Sequence, residues 1–202
     1  MSEESLRIKK KNATKRALAE AAFELAMERG LETFVVEDIV TKAGYSRRTF
    51  ANHFSCKEEA IASALTMNDF REHDEAHSLE GLTPLSTIEM YIKRSFTIDK
   101  LKRLHELISL SRDHPTLKLY VTGVLKETQD FARLGIKEGF GDAYSEEYYH
   151  LLIGAVFGAL MPVLDGSMNV HLPVGDTAQD QPNNEFQEYM EIVFSKLREG
   201  FK

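Results

Sequence analysis

The chain has 202 residues, of which 43% are hydrophobic and 28% are charged. This length and composition suit a soluble protein of two parts with a sizeable core. The net charge of -7 would argue against binding to nucleic acid if it were spread evenly along the chain.

No secretory or membrane-spanning segment is expected from the sequence. The N-terminus lacks an apolar run, and the longest uncharged apolar stretch, residues 151–164, is shorter than the about 20 residues that cross a bilayer. The single cysteine, Cys56, excludes an intramolecular disulfide and fits a reducing compartment. We therefore expect a cytoplasmic protein.

The charge is distributed unevenly between the two parts of the chain. Residues 1–60 contain 11 Lys or Arg and 10 Asp or Glu, a net charge of +1, which leaves -8 for the remainder. A basic run without any acid lies between Ser5 and Ala19: Arg7, Lys9, Lys10, Lys11, Lys15 and Arg16. Such a run is either a solvated, disordered tail or an arm that follows a phosphate backbone.

Residues 36–57 have the pattern of a short helix, a turn and a second short, basic helix. The first helix has an apolar face and acidic residues at its N-terminal end, where the helix dipole favours them. Gly44 provides the turn, and Ser46 is placed to cap the second helix. Phe50 and Phe54 are four residues apart and anchor the second helix inward. The pattern predicts a helix-turn-helix.

Side chains that donate hydrogen bonds to phosphates and base edges cluster on the second helix. We assign direct base reading to Arg47, Arg48 and Thr49. The other predicted contacts are His53 and Lys57 with phosphates, Tyr45 and Ser46 with the groove edge or backbone, Asn52 with either, and Lys9, Lys10 and Lys11 from the basic run.

The segment from about Ala13 to Ala60 resembles the DNA-binding domain of the TetR family of transcriptional regulators. The resemblance rests on a first helix ending at Gly30 and on the segments Val36–Val40, Ala43–Phe50, Asn52–Phe54 and Lys57–Glu58. Spaced glycines combined with the Thr-Phe, His-Phe and Lys-Glu pairs are far more specific than a lone helix-turn-helix match. The resemblance covers roughly a quarter of the chain.

Two positions depart from the family pattern. Val35 stands where the family usually has a capping Thr that touches phosphate, and valine has no side-chain acceptor. Ala51 stands where the family usually has a Tyr that reaches the DNA backbone. Loss of two backbone contacts lowers affinity rather than sequence preference, because base contacts specify the site.

The remainder of the chain reads as helical. A helix continues from Lys57 through Asn68, a polar connection follows to Ser78, and further helices start near Pro84, Leu101, Pro115 and Ser145, with Thr83 and Ser145 as caps. Residues 166–184 read as a long loop. We predict an all-α protein with a DNA-binding domain at 1–57 and a larger helical domain for effector binding and dimerisation at 58–202.

A dimer interface is predicted on the last two helices. Residues 148–164 are apolar nearly all round, and Gly154 and Gly158 leave a groove for an approaching helix. A second stripe comprises Phe186, Met190, Val193 and Leu197. The resemblance implies a four-helix interface between two subunits, and its two-fold symmetry predicts a palindromic operator. A purely intramolecular core is the alternative.

The resemblance also implies a small-molecule effector bound inside the C-terminal helices. Aromatic and methionine side chains make adaptable pocket walls, which weakly favours a hydrophobic or aromatic effector. The candidate lining residues are Tyr91, Phe96, Leu107, Phe131, Tyr149, Phe157 and Met161, each of which also suits a plain core.

Catalytic and metal motifs are incomplete. His105-Glu106 begins a zinc-protease pattern, but Ser109 occupies the position of the second His. His73, Asp74 and His77 are the best metal candidate, although solvated polar surface fits them better. We predict no cofactor and no metal. Cys56, at a predicted helix start, raises the hypothesis of a redox-sensing thiol.

These observations predict a dimeric, one-component transcriptional regulator, a repressor that a small effector releases from a palindromic operator. One alternative keeps the DNA-binding domain but makes the protein a ligand-independent or architectural dimer. A second alternative, from another class, is an enzyme with an appended helix-turn-helix.

Overall fold

The computed structural model describes residues 3–65, 79–95, 97–170 and 184–200. Within these ranges the regular elements are helices and no strand occurs, which confirms the predicted all-α class. Nine α-helices are described: α1 (Glu3–Arg29), α2 (Val36–Ala43), α3 (Arg47–Ala51), α4 (Lys57–Ser63), α5 (Pro84–Ser95), α6 (Ile98–Ser111), α7 (Pro115–Phe140), α8 (Glu146–Leu164) and α9 (Asn184–Glu199). Short 3-10 turns at Leu31–Thr33 and Gly141–Ala143 follow α1 and α7.

The chain divides into two compact units. The first comprises Met1–Met67 together with Leu110–Val124, and the second comprises Asn68–Ser109 and Leu125–Lys202. Helix α7 therefore begins in the first unit and continues in the second. The boundary predicted at residue 57 stays a prediction.

The first unit is built on α1, which packs against α2 and α4. Its buried face begins at Leu18 and continues through Ala22 and Leu25, at the spacing of a helical stripe. The helix ends at Arg29, and the following Gly30 has a φ of 80°. Glycine adopts this conformation at little cost, and it redirects the chain so that Leu31 and Phe34 enter the core.

The second unit buries one side of α8 against its own helices. Ser145 caps α8 by accepting the Tyr148 N–H at 3.3 Å. The Tyr189 hydroxyl of α9 donates to the Ala159 carbonyl at 2.9 Å, and His105 Nδ1 of α6 lies 2.9 Å from the Leu164 carbonyl oxygen. These polar contacts fix the positions of α6 and α9 on an apolar helix that has few polar groups of its own.

An ion pair joins α5 to α9 within the second unit. Arg198 Nη1 lies 2.6 Å from Glu89 Oε2, and Lys93 Nζ lies 2.9 Å from Glu89 Oε1. Burial raises the pKa of the Glu89 carboxyl, but these two hydrogen bonds outweigh it and hold the pKa below its ordinary value. The largely buried carboxylate therefore stays charged and links the two helices.

The helix starts predicted at Pro84, Pro115 and Ser145 are confirmed, and Thr83 caps α5 by accepting the Ser86 N–H at 3.2 Å. The start predicted near Leu101 was wrong, because α6 begins at Ile98. The helix predicted to run from Lys57 to Asn68 ends at Ser63 within the described residues. The polar connection and most of the predicted loop at 166–184 lie outside the described residues.

One described helix, α8, is long and apolar enough to cross a membrane by length and composition alone. This is weak evidence, because core helices of soluble proteins share both properties.

Candidate nucleic-acid interface

Helix α2 is held on α1 by a lysine between two carboxylates. Lys42 Nζ lies 2.9 Å from Glu24 Oε2 and 3.1 Å from Glu28 Oε1, which raises the pKa of Lys42. Ile39 and Val40 of the same helix are buried. Apolar burial and charge together set the position from which the following turn starts.

Val35 precedes α2 without a side-chain cap, as its chemistry requires. Asp38 Oδ2 instead accepts the Val35 N–H at 2.9 Å, which supplies half of a capping box. The helix start is therefore stabilised, but this position offers no side-chain hydroxyl to a phosphate.

The turn between α2 and α3 depends on Gly44. Its φ of 73° places it in the left-handed region that favours glycine, and its N–H bonds the Thr41 carbonyl at 3.3 Å. The Tyr45 N–H then bonds the Val40 carbonyl at 2.9 Å. This C-cap ends α2 and leaves Tyr45 37% exposed beside the start of α3.

Helix α3 is capped and anchored as predicted. Ser46 Oγ accepts the Thr49 N–H at 3.1 Å and lies 2.9 Å from the Thr49 hydroxyl. Phe50 and Phe54 are both 3% exposed, and their ring centroids are 5.5 Å apart. One face of α3 is thus committed to the core, which fixes the face turned to solvent.

The solvent face of α3 carries the predicted DNA-reading side chains. Arg47, Arg48 and Asn52 are exposed, while Thr49 and His53 are half-buried. Arg47 Nη1 lies 2.5 Å from Glu37 Oε1 on α2. Within the described part of the chain, no hydrogen bond or ion pair engages the Arg48 guanidinium.

The basic run does not form a disordered tail, because α1 begins at Glu3 and includes all of it. Lys15 Nζ lies 5.8 Å from the centroid of the Phe54 ring. Partial burial lowers the pKa of His53, and the positive charges of Lys11 and Lys15 lower it further. The end of the run therefore lies on the same surface as the residues that follow α3.

Lys57 has a structural role that the sequence reading missed. Its ammonium donates to the Leu31 carbonyl at 2.6 Å and to the Phe34 carbonyl at 3.0 Å, and it lies 5.0 Å from the centroid of the Phe34 ring. The lysine thus caps the turn that follows α1. Its predicted phosphate contact stays a prediction.

Cys56 and the first turns of α7 meet at the start of α4. Cys56 Sγ is the α4 cap, accepting the Glu59 N–H at 3.5 Å. Ser55 Oγ lies 3.2 Å from the Tyr120 hydroxyl of α7 and 2.6 Å from Glu59 Oε2. Ser55 and Tyr120 both belong to the first unit. Their contact could not be predicted from spacing along the chain. The redox hypothesis for Cys56 stays untested.

The predicted effector-lining residues occupy different environments. Tyr149 and Leu107 are fully buried, and the Tyr149 hydroxyl donates to the Gly141 carbonyl at 2.9 Å. Phe131 is 39% exposed. Tyr91, Phe157 and Met161 are half-buried, and Phe96 lies outside the described residues.

The predicted interface residues also differ in exposure. Phe186 and Met190 are buried within the single chain, while Val193 and Leu197 are half-buried. Gly154 and Gly158 have no atom within 4 Å of a notional Cβ, so the groove at α8 is open. The more exposed apolar residues on these helices are Leu151 at 73% and Ile192 at 59%.

The described residues contain no cluster of three His, Cys, Asp or Glu side chains that could hold a metal. The predicted metal candidate, His73, Asp74 and His77, lies outside the described residues.

The capped turn, the anchored α3 and its exposed basic face define a helix-turn-helix DNA-binding protein. Residues 18–64 match the family described as "Bacterial regulatory proteins, tetR family". Residues 18–64 therefore form a TetR-family DNA-binding domain, and the resemblance stated from the sequence for this segment is confirmed. No curated protein matches the chain. A domain of this family supports a DNA-binding transcriptional regulator rather than an enzyme.

We expect Lys57→Ala to destabilise the first unit, because two carbonyls lose a charged donor. Hydrogen bonds to charged groups contribute about 1.5–3 kcal/mol. Urea unfolding should show a loss of this order, whereas Lys9→Ala, at an exposed position on α1, should unfold like the wild type. Unchanged stability combined with weaker DNA binding would contradict the structural role.

Proposed function

We propose that this regulator is a homodimeric, cytoplasmic repressor that binds a palindromic operator through α3 and is released by a small-molecule effector. The observation that supports it best is the solvent face of α3. Arg48 projects from a helix whose opposite face is buried, and its guanidinium is not engaged within the described residues. Arginine is the side chain that most often reads guanine edges in the major groove.

Glu37 restrains the other arginine of this face. A carboxylate 2.5 Å from Arg47 limits the rotamers of that guanidinium and reduces the positive charge presented to DNA. Arg48 therefore carries most of the sequence discrimination, and Arg47 contributes once its guanidinium exchanges Glu37 for the nucleic acid. This division of roles could not be inferred from two adjacent arginines in the sequence.

We expect Arg48→Ala to lose about 1–3 kcal/mol of binding free energy on the duplex that the wild-type protein selects from random-sequence DNA. Binding to an unselected duplex of equal length should change much less. Arg29→Ala, which removes an exposed charge from the far end of α1, is the matched control. Equal losses on both duplexes would assign Arg48 to the phosphate backbone instead.

The proposed dimer is supported by the outer face of α8. Leu151, Gly154, Ala155, Gly158 and Pro162 recur at helical spacing, and no charged residue interrupts them. Leu151 and Gly158 are exposed and the other three are half-buried in the single chain. Small residues let a second backbone approach closely, so a second copy of α8 fits this face, and two-fold symmetry then places two α3 helices on one duplex.

We expect Leu151→Glu to shift the protein from dimer to monomer in sedimentation velocity, because it places a carboxylate where an apolar side chain would be buried. Leu119→Glu is the matched control, since Leu119 of α7 is 71% exposed and Leu151 is 73% exposed. A dimer that survives Leu151→Glu, or one that Leu119→Glu dissociates equally, would place the interface elsewhere.

The proposed effector site is supported by an unsatisfied group in the second unit. Thr87 of α5 is 1% exposed, and its hydroxyl has no hydrogen-bond partner among the residues that the structure describes. A buried hydroxyl without a partner costs about 1–3 kcal/mol, so its retention favours a ligand that supplies the partner. Tyr91 stands one helical turn further along α5, on the same face. The effector we propose is hydrophobic or aromatic with at least one polar atom.

We expect compounds from a host-cell extract that release the wild-type protein from bound DNA to release Thr87→Val less effectively. Thr87→Ser, which keeps the hydroxyl, should respond like the wild type. Without effector, Thr87→Val should be at least as stable to urea as the wild type, because it removes a buried hydroxyl that has no partner. A weaker response of this variant would therefore not result from unfolding. Equal release of all three would exclude Thr87 from the effector site.

Helix α7 is the proposed route between effector and DNA. Its first turns belong to the first unit, where the Tyr120 hydroxyl lies 3.2 Å from Ser55 Oγ, and His114 just before the helix lies 3.5 Å from Glu32. The remainder of the helix belongs to the second unit. A displacement of α7 would therefore shift the start of α4. This start follows α3 and its Phe54 anchor in the chain.

A further inference from the structure

Helix α1 extends well beyond the core of the DNA-binding unit. It begins at Glu3, whereas the first buried side chain from Leu6 onward is Leu18, where the family match also begins. Residues 3–17 therefore form about four helical turns, roughly 22 Å long at 1.5 Å per residue. No side chain between Leu6 and Ala17 is buried.

Three of the basic residues in this extension form one stripe. Arg7, Lys11 and Lys15 are spaced four residues apart, so they share a face of α1. Lys9 lies on the opposite face, about 160° from the centre of the stripe at 100° per residue. The predicted set Lys9, Lys10 and Lys11 thus does not share one face, and only Lys11 belongs to the stripe.

The stripe is unfavourable for the free helix. Like charges four residues apart destabilise a helix by about 0.2–0.5 kcal/mol per pair. The stripe contains two such pairs, and no acid lies between Ser5 and Ala19. An anionic partner would remove this repulsion.

The stripe leads toward the DNA-reading surface. Lys15 Nζ lies over the Phe54 ring at 5.8 Å, and the charges of Lys11 and Lys15 both act on His53. His53 directly follows the C-cap of the reading helix α3. The cations of α1 and the donors of α3 therefore form a continuous surface within one unit.

We propose that the Arg7, Lys11 and Lys15 stripe binds the sugar-phosphate backbone of duplex DNA outside the base pairs read by α3. The inference rests on the proposed operator binding and extends its footprint. Arg7 and Lys15 are eight residues apart, about 12 Å along the helix. A DNA strand advances about 3.4 Å per nucleotide, so the stripe covers roughly three to four phosphates. A rigid helical extension holds these cations in register at a lower entropic cost than a disordered arm.

The test compares single-charge variants on both faces of α1. Arg7→Gln and Lys11→Gln remove charge from the stripe, and Lys9→Gln removes the same charge from the opposite face. Glutamine keeps helix propensity similar to that of lysine and arginine. The probe is a 40-base-pair duplex selected by the wild-type protein from random-sequence DNA, together with the same site shortened at both ends to the bases that α3 protects.

On the 40-base-pair duplex, each stripe variant should reduce the slope of log affinity against log salt concentration by about 1.8 for a dimer, since two subunits each lose a contact worth about 0.9. Lys9→Gln should leave the slope unchanged. On the shortened duplex, wild type and stripe variants should share one slope.

Equal slopes for Lys9→Gln and Lys11→Gln on the long duplex would overturn the proposed phosphate contact of the stripe while leaving operator binding intact. Failure of the wild type to select any sequence would overturn both proposals.

Discussion

The proposed DNA-reading surface depends on the anchoring of a helix too short to be stable alone. Helix α3 has five residues, and isolated helices below about 12–15 residues are marginal in water. Three interactions hold it: the Ser46 cap, the left-handed C-cap of α2 at Gly44, and the burial of Phe50 and Phe54. Since one side of α3 faces the core, Arg48 must face solvent. The position of the reading residues is thus a consequence of apolar packing.

The net charge is positive only in the N-terminal part of the chain, residues 1–60. With a charge of -8 outside residues 1–60, the larger part of the chain repels DNA. In the proposed complex, the exposed cations of α1 and α3 would therefore orient the protein on DNA as well as bind the phosphate backbone. The same basic residues repel one another along α1. In the proposed complex, DNA phosphates would balance these charges.

Local features of the fold were predictable because short-range chemistry determines them. Ser46, Thr83 and Ser145 were recognised as caps from residue type and position, and the Phe50 and Phe54 pair from its spacing. Contacts between distant segments were not predictable. The Lys57 ammonium bonds carbonyls 26 and 23 residues earlier, and Ser55 meets Tyr120 65 residues later. The basic run was read as an arm because its side chains do not reveal that it extends a helix anchored from Leu18 onward.

The central claim is that the protein recognises a specific DNA sequence. The most direct measurement is a mobility shift of the purified protein at physiological salt, with the DNA that flanks its own gene compared with a random duplex of equal length. The account predicts tight binding to the flanking DNA that the random duplex does not compete away. Equally weak binding to both duplexes would contradict it.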